Sequence, residues 1–236
     1  MECWAYEKCS LNWKDTDRCG ERCQYYILMN IAYTRSNMPI KYQYDYKNKL
    51  KKGYNKDSME YIFDYMDNIK ENVESGKGLY LYGNVATGKT TLACRILNSY
   101  IQNRKRLYDN IVKDNDESYC MGVYIEVSKF LEDYRNNYSN QDEEFEQLLY
   151  NVFNSPLVIF DDIGVEKVSE WTMNRLYDII NYRINNNLCN IFTSNKSIDD
   201  IRNTLGDRIA SRIGRCAIPV YFKGEDMGIM KRRENI

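Results

Sequence analysis

Eight residues restrict this chain more than any other stretch: Gly83-Asn84-Val85-Ala86-Thr87-Gly88-Lys89-Thr90. They fit the pattern G-x-x-x-x-G-K-[ST], and they stand where that pattern has a mechanical purpose. The short apolar run Gly78–Tyr82 precedes them. A helical pattern from Lys89 to Ile101 follows, with Leu92, Ile96, Leu97, Tyr100 and Ile101 on one side. The glycines let the backbone bend around a phosphate so that successive N–H groups point inward, and the positive end of the helix dipole adds to the attraction. Lys89 is expected to reach the β- and γ-phosphates, and the Thr90 hydroxyl to coordinate Mg²⁺. Gly83 to Thr90, with Thr91 next in the helix, are therefore the expected nucleotide-binding residues.

A strand, a phosphate loop and a helix need further strands beside them, and the remaining pattern supplies these. Gly122–Val127 and Leu157–Phe160 read as strands, the second a continuous apolar run suited to burial on both faces. Further strands are expected at Asn190–Ser194 and Ala217–Phe222. Helical spacing lies between them: Phe130, Leu131 and Tyr134; Phe145–Phe153; Trp171, Leu176, Ile179, Ile180 and Ile184; and short helices near Ile198–Ile213. Met59, Ile62, Phe63, Met66, Ile69 and Val73 predict a helix before the first strand, closed by Gly76 and Gly78. Strands alternating with helices in this way imply an α/β fold with a parallel sheet covered on both faces.

The apolar run at Leu157 ends in Asp161-Asp162. Ligands in open α/β sheets bind at the carboxyl edge of the strands, so two carboxylates there face the phosphates. Asp161 is expected to hold Mg²⁺ directly or through water, and Asp162 to polarise an attacking water. Ile191-Phe192-Thr193-Ser194-Asn195 brings an amide, Asn195, to the same edge, where it can position water or sense the γ-phosphate; Ser-Asn also commonly marks a strand end. Leu205-Gly206-Asp207-Arg208-Ile209-Ala210-Ser211-Arg212 spaces two arginines four apart on one helical face. They are either surface charges or donors that stabilise phosphoryl-transfer charge in a neighbouring subunit.

Taken together, GNVATGKT, LVIFDDIGVEK, IFTSN and LGDRIASRI resemble the ordered motif set of an AAA+ ATPase. More narrowly, the chain is similar over roughly residues 60–236 to the DnaC/DnaI-type helicase loaders, and to their IstB-type transposition-helper relatives. The resemblance implies a P-loop AAA+ core with a five-stranded parallel sheet. It assigns Lys89, Thr90 and Asp161 to ATP or ADP and Mg²⁺, Asp162 to catalysis and Asn195 to a first sensor. Arg212 becomes the trans-acting finger, with Arg208 as the fallback. It further implies slow, partner-stimulated ATP hydrolysis, a replicative helicase as protein partner, local contacts with single-stranded DNA, and a homo-oligomer in the ATP- or helicase-bound state. Two alternatives are a transposition helper acting on duplex DNA and a nucleotide-gated adaptor with negligible hydrolysis. One position departs from the family pattern: Gly224-Glu225-Asp226 is followed by Met227-Gly228, without the Arg that often contacts the γ-phosphate. With the chain ending soon after, a full helical lid is not expected, and both features lead to the expectation of slow turnover with ATP as an assembly switch.

Composition narrows the chemistry further. Of 236 residues none is His, which excludes His-based nucleophilic triads, His general bases and His-ligated zinc. Phosphoryl transfer survives this exclusion because it runs on Lys, Asp, Asn and Arg. Lys and Arg total 33 against 34 Asp and Glu, so no global basic field exists for wrapping nucleic acid. The first ten residues lack the apolar core of a signal peptide, and no apolar run approaches a membrane span, so a cytoplasmic location is expected.

Eight cysteines are present, and Cys3, Cys9, Cys19 and Cys23 cluster at the start. Four thiols can hold a structural zinc, although the spacing is looser than paired CxxC knuckles; free thiols on a short helical extension are the alternative. Cys94, Cys120, Cys189 and Cys216 read as buried core thiols. The expected division is a Cys-rich, helicase-contacting module at 1–38, a basic, Tyr-rich linker at 39–56 and the ATPase domain at 57–236. The linker interleaves Lys41, Lys47, Lys49, Lys51, Lys52 and Lys56 with Tyr42, Tyr44, Tyr46 and Tyr54. That composition suits either a solvated spacer or stacking on single-stranded nucleic acid.

Overall fold

The apolar runs become five strands: β1 (Gly78–Gly83), β2 (Gly122–Glu126), β3 (Leu157–Asp161), β4 (Cys189–Ser194) and β5 (Ala217–Phe222). Every neighbouring pair is parallel, in the order β2-β3-β4-β1-β5. The computed structural model describes residues 23–43, 56–102, 120–137, 142–165 and 169–223. The inner strands β3 and β4 are buried at every position, which is why their sequences show no alternation. β5 lies on an edge, where Pro219, lacking an N–H, is tolerated.

Nine α-helices lie among the described residues: α1 (Gln24–Arg35), α2 (Lys56–Asp67), α3 (Ile69–Glu74), α4 (Lys89–Ile101), α5 (Val127–Asn137), α6 (Glu143–Asn154), α7 (Glu170–Asn185), α8 (Ile198–Leu205) and α9 (Asp207–Cys216). Several start on side-chain caps, which satisfy N–H groups the helix itself cannot. Asp142 accepts from the Glu144 N–H, Ser169 from that of Thr172, and Ser197 forms a reciprocal capping box with Asp200. No described helix is long and apolar enough to cross a membrane.

Side chains alternate across each strand and so feed two cores. On one face Leu79, Leu81, Ile159 and Ile191 pack with Leu92, Ile96, Leu97 and Tyr100 of α4. On the other, Tyr80, Val158, Phe160 and Phe192 pack with Leu176, Ile179 and Ile180 of α7 and Ile209 and Ile213 of α9. Lys89, Thr90, Asp161 and Asn195 meet at the carboxyl edge of the sheet between these two cores.

Two local expectations are corrected. Met59–Val73 forms two helices, not one. At the break Asn68 Nδ2 donates to the Asp64 carbonyl (2.9 Å) and Asn72 Nδ2 to the Tyr65 carbonyl (3.0 Å), side-chain bonds that compete with the helical ladder. Residues 23–43, expected to fall in a separate module and linker, pack against α4 and the sheet. Leu28, Met29, Ala32, Tyr33 and Met38 form a helical stripe and its extension in the same core as α4. Tyr33 Oη donates to Asn98 Oδ1 (2.6 Å), and Asn98 Nδ2 donates to the Tyr42 carbonyl (2.7 Å). Cys23 is buried just before α1, whereas Cys3, Cys9 and Cys19 and the linker residues 44–55 lie outside the described residues. Cys94, Cys120 and Cys189 are buried as expected, and Cys216 is half-buried.

Candidate nucleotide site

The loop between β1 and α4 bends because three residues accept positive φ. Gly83, at φ +138°, admits the chain against β5; a Cβ there would sit 2.1 Å from the Phe222 carbonyl oxygen. Gly88 opens α4 at φ +85°. Ala86 takes φ +59°, a conformation in which a Cβ is strained by about 1–2 kcal/mol. Thr87 Oγ1 donates to the Asn84 carbonyl (2.9 Å), closing the loop, while Asn84, Val85 and Ala86 form its exposed crest. Thr91 is half-buried in the first turn of α4.

Lys89 is only 6% exposed, yet its Nζ is fully engaged. It donates to the Gly83 carbonyl (3.0 Å), the Asn84 carbonyl (2.6 Å) and Asn195 Oδ1 (2.9 Å). Desolvation holds its pKa below the usual lysine value, against the pull of Asp162 and Asp161. Lys89 and the exposed Asn195 therefore share one locus.

Asp161, 5% exposed, gathers three hydroxyls from three elements. Oδ1 accepts from Thr90 Oγ1 (2.9 Å) and Thr193 Oγ1 (2.6 Å), and Oδ2 accepts from Tyr124 Oη (2.7 Å). Burial and the neighbouring Asp161 raise the Tyr124 phenol well above its usual pKa, so it remains a donor. Asp162 follows at φ +60° with its side chain exposed, and its N–H donates to Thr193 Oγ1 (2.9 Å). Desolvation and then Asp161 raise the Asp162 carboxyl, and Lys89 opposes them. The turn is tied to β4 by the Ile163 N–H on the Thr193 carbonyl (2.9 Å) and Ser194 Oγ on the Ile163 carbonyl (2.6 Å).

These residues fit the groups implied by the motifs. A hydroxyl and a carboxylate 2.9 Å apart are hard oxygen donors of the kind Mg²⁺ takes, and the loop offers a phosphate backbone N–H groups and a lysine. The two arginines are placed differently. The Arg208 guanidinium lies 4.0 Å from the centroid of the Tyr177 ring on α7, and Arg212 Nη2 donates to Tyr177 Oη (3.2 Å). The structure thus brings Lys89, Thr90, Asp161 and Asn195 together and parks both arginines on Tyr177.

Tyr124 and Thr193 carry roles that the motif reading did not assign. Thr193 sits one strand residue before Ser194-Asn195, and Tyr124 is a polar-tipped aromatic inside an apolar strand. Only the pairing of β2 and β4 with β3 brings both to Asp161.

No protein-family model matches the chain. A stretch of 180 residues is 27% identical to the replicative helicase loader DnaI of Bacillus subtilis, covering 71% of this chain and 52% of that protein. A stretch of 154 residues is 23% identical to the replicative helicase loader DnaC of Escherichia coli K12, covering 65% and 54%. The chain is thus similar in sequence to DnaI/DnaC-type replicative helicase loaders. It spans about half the length of these curated relatives. The crystal structure of the DnaC helicase loader superposes with a TM-score of 0.59 at 23% identity, over 78% of this chain and all of that one. AMPPCP-bound DnaA from Aquifex aeolicus gives 0.57 at 18% identity, over 84% of this chain and 56% of that one. At these identities the structural likeness is one of fold, an α/β architecture built on a five-stranded parallel sheet.

Proposed function

We propose that this chain is an ATP-dependent loader that binds a replicative helicase and delivers it to single-stranded DNA. The observation that carries the reading is the convergence of Lys89, Thr90, Asp161 and Asn195 at one sheet edge in a chain similar in sequence to DnaI and DnaC. Lys89 and the loop amides bind the ATP phosphates, and Thr90 with Asp161 holds Mg²⁺, which when bound neutralises charge on the β- and γ-oxygens. Asp162 polarises the water that attacks the γ-phosphorus, Asn195 positions it, and the bond to the bridging oxygen breaks to release ADP. Arg212, with Arg208 as fallback, completes the site of an adjacent protomer, leaving Tyr177 when the oligomer forms. Hydrolysis then weakens the assembly and releases the helicase. A zinc module on Cys3, Cys9, Cys19 and Cys23 belongs to the same proposal and is read out as about one zinc per purified chain.

ATP turnover measured alone, with a partner helicase, and with helicase plus single-stranded DNA tests the reading. Stimulation by helicase is expected, and Arg212→Ala should remove about 10³-fold of the oligomer-dependent rate, the low end for such fingers. Turnover indifferent to helicase, or unaffected by Arg212→Ala in the oligomer, contradicts it.

A further inference from the structure

β2 is an edge strand, so one side of its backbone has no sheet neighbour. That side is taken by the turn after α1. The Tyr124 N–H donates to the Ser36 carbonyl (2.8 Å), and the Tyr124 carbonyl accepts from Asn37 Nδ2 (2.9 Å). The turn is itself held: Ser36 is completely buried, its Oγ donates to the Tyr33 carbonyl (2.8 Å) and accepts from the Met38 N–H (3.3 Å), and Asn37 adopts φ +52°. Tyr124 is thus fixed at its backbone by the N-terminal segment and at its hydroxyl by Asp161 Oδ2, 2.7 Å away.

We infer that Tyr124 is a positioning residue for Mg²⁺–nucleotide, orienting the Asp161 carboxylate and coupling that orientation to the Ser36–Asn37 turn. Without the phenol, Asp161 keeps both hydroxyl bonds on Oδ1 and loses the one on Oδ2, so the carboxylate is free to pivot about its Oδ1 contacts. A group that orients a metal-holding carboxylate typically changes metal affinity by 10–100-fold on removal. The phosphates held by Lys89 and the loop do not depend on that orientation. The loss is therefore specific to the metal-supported part of binding, which separates positioning from mere packing. The coupling gives the turn after α1 a physical hold on the nucleotide site. The inference rests on the proposal that the site binds nucleotide.

The test is the affinity of the full chain for a fluorescent ATP analogue, measured in excess Mg²⁺ and in EDTA, with the apo thermal midpoint recorded for each variant. Tyr124→Phe should weaken binding about tenfold in Mg²⁺ and leave the EDTA value unchanged. Thr193→Val, which removes a hydroxyl from Oδ1, should show the same Mg²⁺-specific loss. Asn37→Gly keeps the positive φ and removes the amide; it should show a smaller loss that disappears in the Tyr124→Phe background, since both act through one contact chain. Equal losses in Mg²⁺ and EDTA, or no loss, overturn the positioning role. Full additivity of Asn37→Gly and Tyr124→Phe overturns the coupling. A wild-type chain that binds the analogue in neither condition overturns the nucleotide reading beneath it, a result distinct from the other two.

Discussion

Asp162 shows what single residues trade at this edge. It takes φ +60° with a carboxyl raised by desolvation and by Asp161, and strain and perturbed charge of this kind concentrate where chemistry is done. A raised carboxyl binds its proton more tightly in the folded chain than in the unfolded one. Its charged form therefore costs stability at neutral pH, and the cost fades as pH falls to the unfolded Asp range near 3.9. Asp162→Asn should accordingly stabilise the apo chain at pH 7, by under about 1 kcal/mol because solvent screens an exposed group. The gain should vanish near pH 4, as urea midpoints at the two pH values would show. The same variant should lower ATP turnover by roughly 10²–10⁴-fold while sparing binding, the usual contribution of a proton-handling side chain. At this scale much of the site was readable. Lys89, Thr90, Asp161 and Asn195 meet because each sits at a strand end or helix start that the apolar pattern already located. Tyr124 and Thr193 were hidden, since their role depends on which strands are neighbours, and strand order is a property of the folded sheet.

Among the elements, the junction of α6, α7 and β4 depends on one arginine that the sequence presents as ordinary. Arg183, flanked by Tyr182 and Ile184 in a helical run, is completely buried. Its guanidinium donates to the Val152 carbonyl (2.8 Å) at the end of α6, the Ser155 carbonyl (2.9 Å), the Cys189 carbonyl (2.7 Å) and Asn190 Oδ1 (2.6 Å). Its described partners are neutral oxygens, and the guanidinium donates to carbonyls at the end of α6 that would otherwise be buried without donors. Desolvation pushes the guanidinium below its ordinary pKa, and the dipole at the end of α6 favours its charge. Arg183→Met fills much of the space and supplies no donor. It should destabilise the fold by about 1–3 kcal/mol for each buried acceptor left without a donor, read as a lower urea midpoint with unchanged m-value. Periodicity located α7 and both its neighbours, but periodicity speaks of apolar faces and is silent about a charged side chain turned inward. The same limit applies to α1: its stripe of Leu28, Met29, Ala32 and Tyr33 is helical, but its place on α4 follows from Asn98, whose side chain joins Tyr33 to Tyr42.

For the molecule as a whole, the sheet divides the labour. One face carries α4 and the N-terminal residues from Cys23 onward, and the other carries α7 and α9 with the arginines held on Tyr177. The candidate nucleotide edge lies between them, in contact with the first face through Tyr124 and Ser36–Asn37. The proposed loading function would use such an arrangement, with the candidate phosphate-binding groups on rigid strand ends and the N-terminal segment attached to the same sheet. All of this rests on nucleotide binding at Lys89, which has no other charge-bearing group in the loop to replace it. The direct measurement is the affinity for Mg²⁺–ATP of the wild-type chain and Lys89→Ala, by titration calorimetry on the full chain. Saturable binding by the wild type at one site per chain, weakened at least about 100-fold in the variant, is expected from the loss of a charge-assisted phosphate contact worth roughly 3 kcal/mol. Equal affinity in the two proteins would contradict it.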